Sequence, residues 1–187
     1  MATRPKKPSA QSPYHPARND HAAAPEPAAA GQPAYGADAH AQHPLPFYRF
    51  LYSQVGRRWN WVDRLRMPDD KLAAILHDKR THITVLYVNG APAGFYELFH
   101  ESDDVIELCH FGLIEHALGL GVGKWFLLQA LHTAWGLEPQ KLTVTTNNLD
   151  HPRALQLYQM FGFNPVSTSD ALVRPLSDEE WSELAKR

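Results

Sequence analysis

The chain has 187 residues, 44% of them hydrophobic, and a formal net charge of −2, enough for one ordinary domain plus a tail. The near-balanced charge excludes a general nucleic-acid or membrane-surface footprint, and no apolar stretch approaches the roughly 20 residues of a membrane span. A single cysteine, Cys109, excludes an intramolecular disulfide and fits a reducing compartment, so a cytoplasmic location is expected.

Residues 1–44 are rich in Ala and Pro and hold no Leu, Ile, Val, Phe or Trp. Such a stretch buries too little apolar surface to offset its ordering entropy, so a disordered tail is expected there. His15, His21, His40 and His43 are irregularly spaced within it and suggest no metal site. From Leu45 to the end at 187 the pattern is that of one ordered domain. Phe47, Phe50, Leu51 and Gln54 recur along one predicted helical face, closed by Gly56. Residues 58–65 read as a short aromatic-rich helix. Pro68-Asp69-Asp70 has the composition of a helical first turn.

Strands follow. Residues 83–88 and 93–99 flank Asn89-Gly90, a strong hairpin signal, and residues 105–114 form an apolar run. Behind that run stand Gly119, Gly121 and Gly123, then a predicted helix from Lys124 whose Leu127, Leu128, Leu131 and Trp135 share a face and which Gly136 ends. Residues 141–146 are rich in β-branched types and read as a strand. A helix over 152–161, capped by Asp150 or His151, carries Ala154, Leu157, Tyr158 and Phe161 on one face. A last strand or hairpin over 166–173 and a polar helix from Ser177 complete the chain. Helices, then an antiparallel meander, then a crossover helix imply a three-layer α/β or α+β domain with a mixed sheet.

Strand, glycine loop and helix start together make a phosphate cradle. First-turn amides lack internal partners, the helix dipole adds partial positive charge, and glycine lets an anion approach the backbone. The glycines are spaced evenly by two, unlike the G-x-G-x-x-G of a dinucleotide site, which disfavours a nucleotide-dependent oxidoreductase.

Two segments resemble signatures of the GNAT N-acetyltransferases, which move an acetyl group from acetyl-coenzyme A to an amine. The first signature, Gln/Arg-x-x-Gly-x-Gly/Ala, is matched at Gly121 and Gly123. The second, Asn-x-x-Ala-x-x-x-Tyr-x-x-x-Gly-Phe, is matched at Ala154, Tyr158, Gly162 and Phe163. The resemblance covers roughly residues 47–170. It implies a mostly antiparallel mixed sheet flanked by helices, opening into a V-shaped cofactor cleft. It also implies acetyl-coenzyme A as co-substrate and a small-molecule or peptide amine as acceptor, without nucleic acid, membrane or metal; homodimers are frequent in the family. There are departures. Leu118 stands where Gln or Arg is preferred, Leu120 where many members have a basic residue, and His151 where Asn is usual. Each lost charge-assisted hydrogen bond is worth about 1.5–3 kcal/mol, so an acyl-coenzyme A binding protein without turnover is the alternative reading.

By this resemblance, Phe111, Gly112 and Leu113 would hold the pantetheine and thioester. Leu118, Gly119, Gly121, Val122, Gly123 and Lys124 would hold the diphosphate, and Asn147 and Tyr158 would line the opposite side. Acetyl transfer needs a neutral amine, and a positioned carboxylate helps by about 10²–10⁴ in rate. Glu107 is the candidate base, placed by strand alternation on the face of Cys109 and Phe111, with Glu97 on the adjoining strand in reserve. Proton transfer from a tyrosine to a thiolate is uphill by only about 2 kcal/mol, which suits Tyr158 as the acid. Trp59, Trp61 and Arg64 are the candidates for acceptor contacts.

Overall fold

The computed structural model describes residues 3–12, 35–40 and 43–184, the stretches 3–12 and 38–40 by backbone alone. Seven strands form one sheet: β1 (Thr3–Ser12), β2 (Tyr35–His40), β3 (Thr81–Val88), β4 (Ala91–Ser102), β5 (Val105–Leu113), β6 (Lys141–Thr145) and β7 (Asn164–Leu172). Their spatial order is β2-β3-β4-β5-β6-β1-β7. Only β5 and β6 run parallel.

The hairpin between β3 and β4 turns on Asn89 (φ 51°) and Gly90 (φ 80°), the left-handed pair that a two-residue turn demands. On one face of the sheet lie α1 (Leu45–Gly56), α2 (Asp63–Arg66), α3 (Asp69–Leu76) and α6 (Asp178–Leu184), whose buried residues form one core with Ile83, Val85 and Phe95. On the other lie α4 (Val122–Gly136) and α5 (Ala154–Met160), packed with Tyr96, Leu98, Ile106, Leu108 and Val144. Among the described residues no helix is long and apolar enough to cross a membrane.

Several expectations need correction. The tail of residues 1–44 contains two strands of the sheet, while 13–34, with His15 and His21, lies outside the described residues. Main-chain pairing builds both strands. β1 inserts between β6 and β7, and its prolines, Pro5 and Pro8, fall outside the Ser9–Gln11 stretch paired on both sides. β2 pairs with β3 along its length, and the Tyr35 ring meets Trp125 of α4 edge-on at 4.9 Å. The apolar face of α1 is set by Tyr48, Leu51, Tyr52 and Val55, and Phe50 is 45% exposed. Periodicity could not choose between two aromatic-rich faces one residue apart.

α4 begins at Val122 rather than Lys124. The cap residue of α5 is Arg153, without a side-chain cap. Asp150 instead accepts hydrogen bonds from the Thr146 hydroxyl (2.9 Å) and the Asn147 main-chain and side-chain amides (2.8 and 3.0 Å), bracing the loop ahead of α5. Ser177 does cap α6: its hydroxyl accepts from the Glu180 amide while Glu180 accepts from the Ser177 amide.

Candidate active site

The cleft starts where β5 and β6 part. They pair from Val105–Lys141 to Leu108–Val144 and no further, which among the described residues leaves the β6-facing main-chain edge of Cys109–Leu113 without a strand partner. Close by, Gly119 and Gly121 take φ of 82° and 79°. That left-handed backbone suits glycine and costs other residues about 1–2 kcal/mol. It delivers the chain into α4 with Gly121 as the cap residue and no side chain satisfying the first amides. Such a helix start attracts an anion.

A cavity of about 540 Å³ joins the two features. Of the sequence-predicted residues, Phe111, Gly112, Leu113, Leu118, Gly119, Gly121, Gly123 and Lys124 line it from one side, and Asn147 and Tyr158 from the other. Arg153, unforeseen, adds a second cation to Lys124, while Leu118 and Leu120 stand exposed where basic residues were sought. A diphosphate with a thioester arm fits this donor set: helix amides with no side-chain cap, an open strand edge, and two cations among the lining residues. Val122 does not line the cavity and packs into the core.

Glu107 is not among the lining residues. Its carboxylate accepts from the Thr145 hydroxyl at 3.0 Å and from the Cys109 thiol at 3.8 Å. The predicted alternation from Glu107 to Phe111 is interrupted. The β4 register pairs Leu98 with Leu108 but Glu97 with His110, so Cys109 is an extra residue in β5. Beyond it the faces exchange. Phe111 packs on Phe126 of α4 at 5.7 Å, whereas His110 turns toward α1, its ring 5.1 Å from Tyr52 and 5.2 Å from Trp61. Burial, with Glu107 and Glu97 nearby, pushes the Cys109 thiol far up and keeps it protonated.

Tyr158 is buried and meets Phe163 edge-on at 5.8 Å. Desolvation first, and Asp150 second, push its phenol above the ordinary value, so it holds its proton at neutral pH.

Across the cavity wall, Glu97 is 1% exposed and fully engaged. The Tyr48 hydroxyl donates to it at 2.5 Å, Arg64 at 2.7 Å, and His110 Nδ1 lies at 3.0 Å. Burial alone would raise this carboxyl. The His110 interaction, Arg64 and the Tyr48 hydrogen bond outweigh it and hold the group down to about 2. Arg64 is carried by α2, which Arg49 fixes by donating to the carbonyls of Leu65 (2.8 Å) and Met67 (2.9 Å) and to Asp69 (2.6 Å). The connection from α1 to α2 bridges the cleft. Arg58 pairs with Glu115 at 3.0 Å, Trp61 Nε1 donates to Asp150 at a long 3.4 Å, and Trp59 meets His151 at 5.3 Å. Sequence reasoning named Trp59, Trp61 and Arg64 but missed the His110–Glu97 contact, because no local pattern announces a one-residue bulge.

A family model described as the acetyltransferase (GNAT) family matches residues 47–163. No curated protein is similar enough to the chain to match it. Among solved structures, the chain is 25% identical to an IAA acetyltransferase from Bacillus cereus, with a TM-score of 0.54 over 72% of this chain and 79% of that one. It shares its fold with a GNAT family acetyltransferase from Elizabethkingia anophelis with acetyl-coenzyme A bound (20% identity, TM-score 0.54, 71% and 78% covered). It also shares it with the ribosomal-protein-S18-alanine N-acetyltransferase of Escherichia coli (17% identity, TM-score 0.57, 72% and 80% covered). Acetyl-coenzyme A is the co-substrate of the matched family. With glycine loop, parted strands and family model in agreement over one stretch of sequence, the chain belongs to the GNAT acetyltransferase family.

Proposed function

We propose that the chain transfers the acetyl group of acetyl-coenzyme A to a primary amine by direct attack of the amine nitrogen on the thioester. The observation that carries this reading is the shared cavity, in which the free edge of β5, the uncapped start of α4 and Tyr158 all meet. The diphosphate sits on the amides from Gly119 to Gly123, with Lys124 and Arg153 adding charge. Leu118 contributes main chain, and Val122, packed into the core, supports the loop from behind. The pantetheine runs along Phe111–Leu113, where a main-chain N–H stabilises the tetrahedral oxyanion. Asn147, braced by Asp150, borders the thioester. Tyr158 donates its proton to the departing thiolate as the C–S bond breaks. Glu107, the carboxylate suggested by the strand pattern, is turned to Thr145 and Cys109, so proton removal from the amine needs a group that reaches the acceptor.

The catalytic unit spans residues 45–187, its sheet extended by the strands at 3–12 and 35–40. We place the reaction in the cytoplasm, with a small-molecule or peptide amine as acceptor and a homodimer as the assembly to check by light scattering. The test combines calorimetry with acetyl-coenzyme A and a thiol-release assay over a panel of amines. Saturable binding and amine-dependent thiol release are the expected results; no binding at millimolar donor overturns the reading. The exposed Leu118 and Leu120 favour one alternative, a coenzyme A-binding protein without turnover, and binding without thiol release for any amine selects it.

A further inference from the structure

Behind the acceptor side of the cavity lies a carboxylate that solvent does not reach. Glu97 carries three partners from three elements: Tyr48 from α1, Arg64 from α2 and His110 from β5. Only His110 among them continues to a wall from which a reacting amine is accessible, since it lines the cavity and keeps 18% of its side chain exposed. An ionised carboxylate can only accept hydrogen bonds. The 3.0 Å contact therefore puts the proton of a neutral His110 on Nδ1 and leaves the lone pair on Nε2. Among the described residues no hydrogen bond engages Nε2. The rings of Tyr52, Trp61 and Phe95 pack around the imidazole and fix its plane.

We infer that His110 is the catalytic base of this chain, taking the proton of the acceptor amine on Nε2, and that Glu97 is the residue that positions it. The inference rests on the acetyl-transfer reading and assigns one step within it. As the amine nitrogen forms its bond to the thioester carbonyl carbon, an N–H proton passes to Nε2 of His110. The C–S bond then breaks with its electron pair on sulfur, which receives the Tyr158 proton. Solvent restores the phenol as the imidazolium of His110 gives up its proton, so one amide and one thiol leave and the enzyme is regenerated. The Glu97 carboxylate offsets the positive charge that His110 carries between these events, as a carboxylate behind a catalytic imidazole does elsewhere. Glu107 lies along the same strand but spends its carboxylate on Thr145 and Cys109.

The charged and titratable groups around the ring are Glu97 from β4, Tyr48 and Tyr52 from α1, Asp63 and Arg64 from α2, Glu107 and Cys109 from β5, and Asp150 beyond Trp61. A pH profile must be read against all of them, so single variants are compared.

Thiol release is measured from pH 5.5 to 9 at saturating acetyl-coenzyme A and with an accepted amine, for the wild type, His110→Gln, Glu107→Gln and Glu97→Gln. In His110→Gln, kcat is expected to fall about 10²–10³-fold, with donor affinity by calorimetry within twofold. Its ascending limb should move to the ionisation of the free amine, while Glu107→Gln keeps the wild-type limb. Glu97→Gln should lower kcat about tenfold or more with little change in KM; if it does not fold, Tyr48→Phe takes its place and moves kcat in the same direction. A second readout needs no acceptor. Nitrogen-15 NMR of the 11 histidines, with His110 assigned by difference from His110→Gln, should show the neutral His110 ring with its proton on Nδ1 and Nε2 bare. A His110→Gln enzyme within threefold of wild type with its limb intact, or a limb lost in Glu107→Gln instead, overturns the assignment. So does an Nε2-protonated neutral ring. A wild type that neither binds the donor nor releases thiol overturns the acetyl-transfer reading itself, a result distinct from any of these.

Discussion

The two ends of the cavity are built from different materials. The end at Gly119–Lys124 is main chain: two left-handed glycines, an uncapped helix and a strand edge without a neighbour among the described residues, with Lys124 supplying charge. The end at His110 is side chain: a buried carboxylate with a tyrosine, an arginine and an imidazole that lie 13 to 49 residues from it in sequence. A main-chain cradle recognises what every donor shares, a diphosphate, and needs little beyond permissive backbone. A side-chain cluster depends on exact complement, because removing one member leaves a buried charge or donor unpaired. The cradle should therefore tolerate substitution in stability but not in donor affinity, and the cluster the reverse.

The strongest way to break this contrast is Glu97→Ala. Arg64 loses its carboxylate and Tyr48 its acceptor in a buried setting, and about 3–5 kcal/mol of stability should go, visible in urea unfolding. A loss below about 1 kcal/mol would mean that the cluster contributes no more than a surface pair. The same carboxyl sets an acid dependence. Its value is depressed in the folded chain to about 2, so its contribution is fully present above the unfolded carboxylate range near 4.3 and is lost as pH falls toward 2. Unfolding free energy measured between pH 5 and 2 should fall less steeply in Glu97→Gln than in the wild type.

The same contrast governs what could be read from sequence. The cradle was legible because glycine spacing, a preceding apolar run and the Tyr158-Gly162-Phe163 signature are local, and so was the Asn89-Gly90 hairpin. The cluster was not. Glu97 and His110 face each other only because Cys109 is an extra residue in β5, and a bulge reverses every later side chain without leaving a mark in composition. Hence Phe111 was expected beside Glu107 and is found against α4. β1 and β2 escaped notice because main-chain pairing holds them within a stretch that lacks alternating apolar residues. Asp150 sat where a helix cap was expected, yet its acceptors serve Thr146 and Asn147.

Gly121→Ala tests the cradle from the other side. At φ 79° a Cβ is strained by about 1–2 kcal/mol, yet among the described residues no atom beyond the adjoining chain lies within 4 Å of where it would stand. Gly121 lines the cavity, so an added methyl group is expected to act on a ligand held there rather than on the protein. Donor affinity by calorimetry should weaken about tenfold, while stability falls by no more than that strain and the His110 nitrogen signals stay as in the wild type. If those signals change as well, the two ends are mechanically coupled and the division drawn here is too sharp.

The smallest effect expected is at Lys124, exposed in the first turn of α4. Its charge adds to the helix dipole at the cradle, but water and salt screen both, so Lys124→Met should weaken donor binding only about threefold to fivefold at low ionic strength. The difference should shrink toward nothing at about 1 M salt, where the screening length is near 3 Å. Main-chain amides hydrogen-bond at contact distance and are not screened in this way, so the wild-type affinity that survives high salt measures what the backbone contributes by itself. Should Lys124→Met lose nearly all donor affinity and that loss persist in salt, the lysine rather than the backbone would be the anion holder, and the exposed leucines at 118 and 120 would mark a weak cradle propped by one side chain.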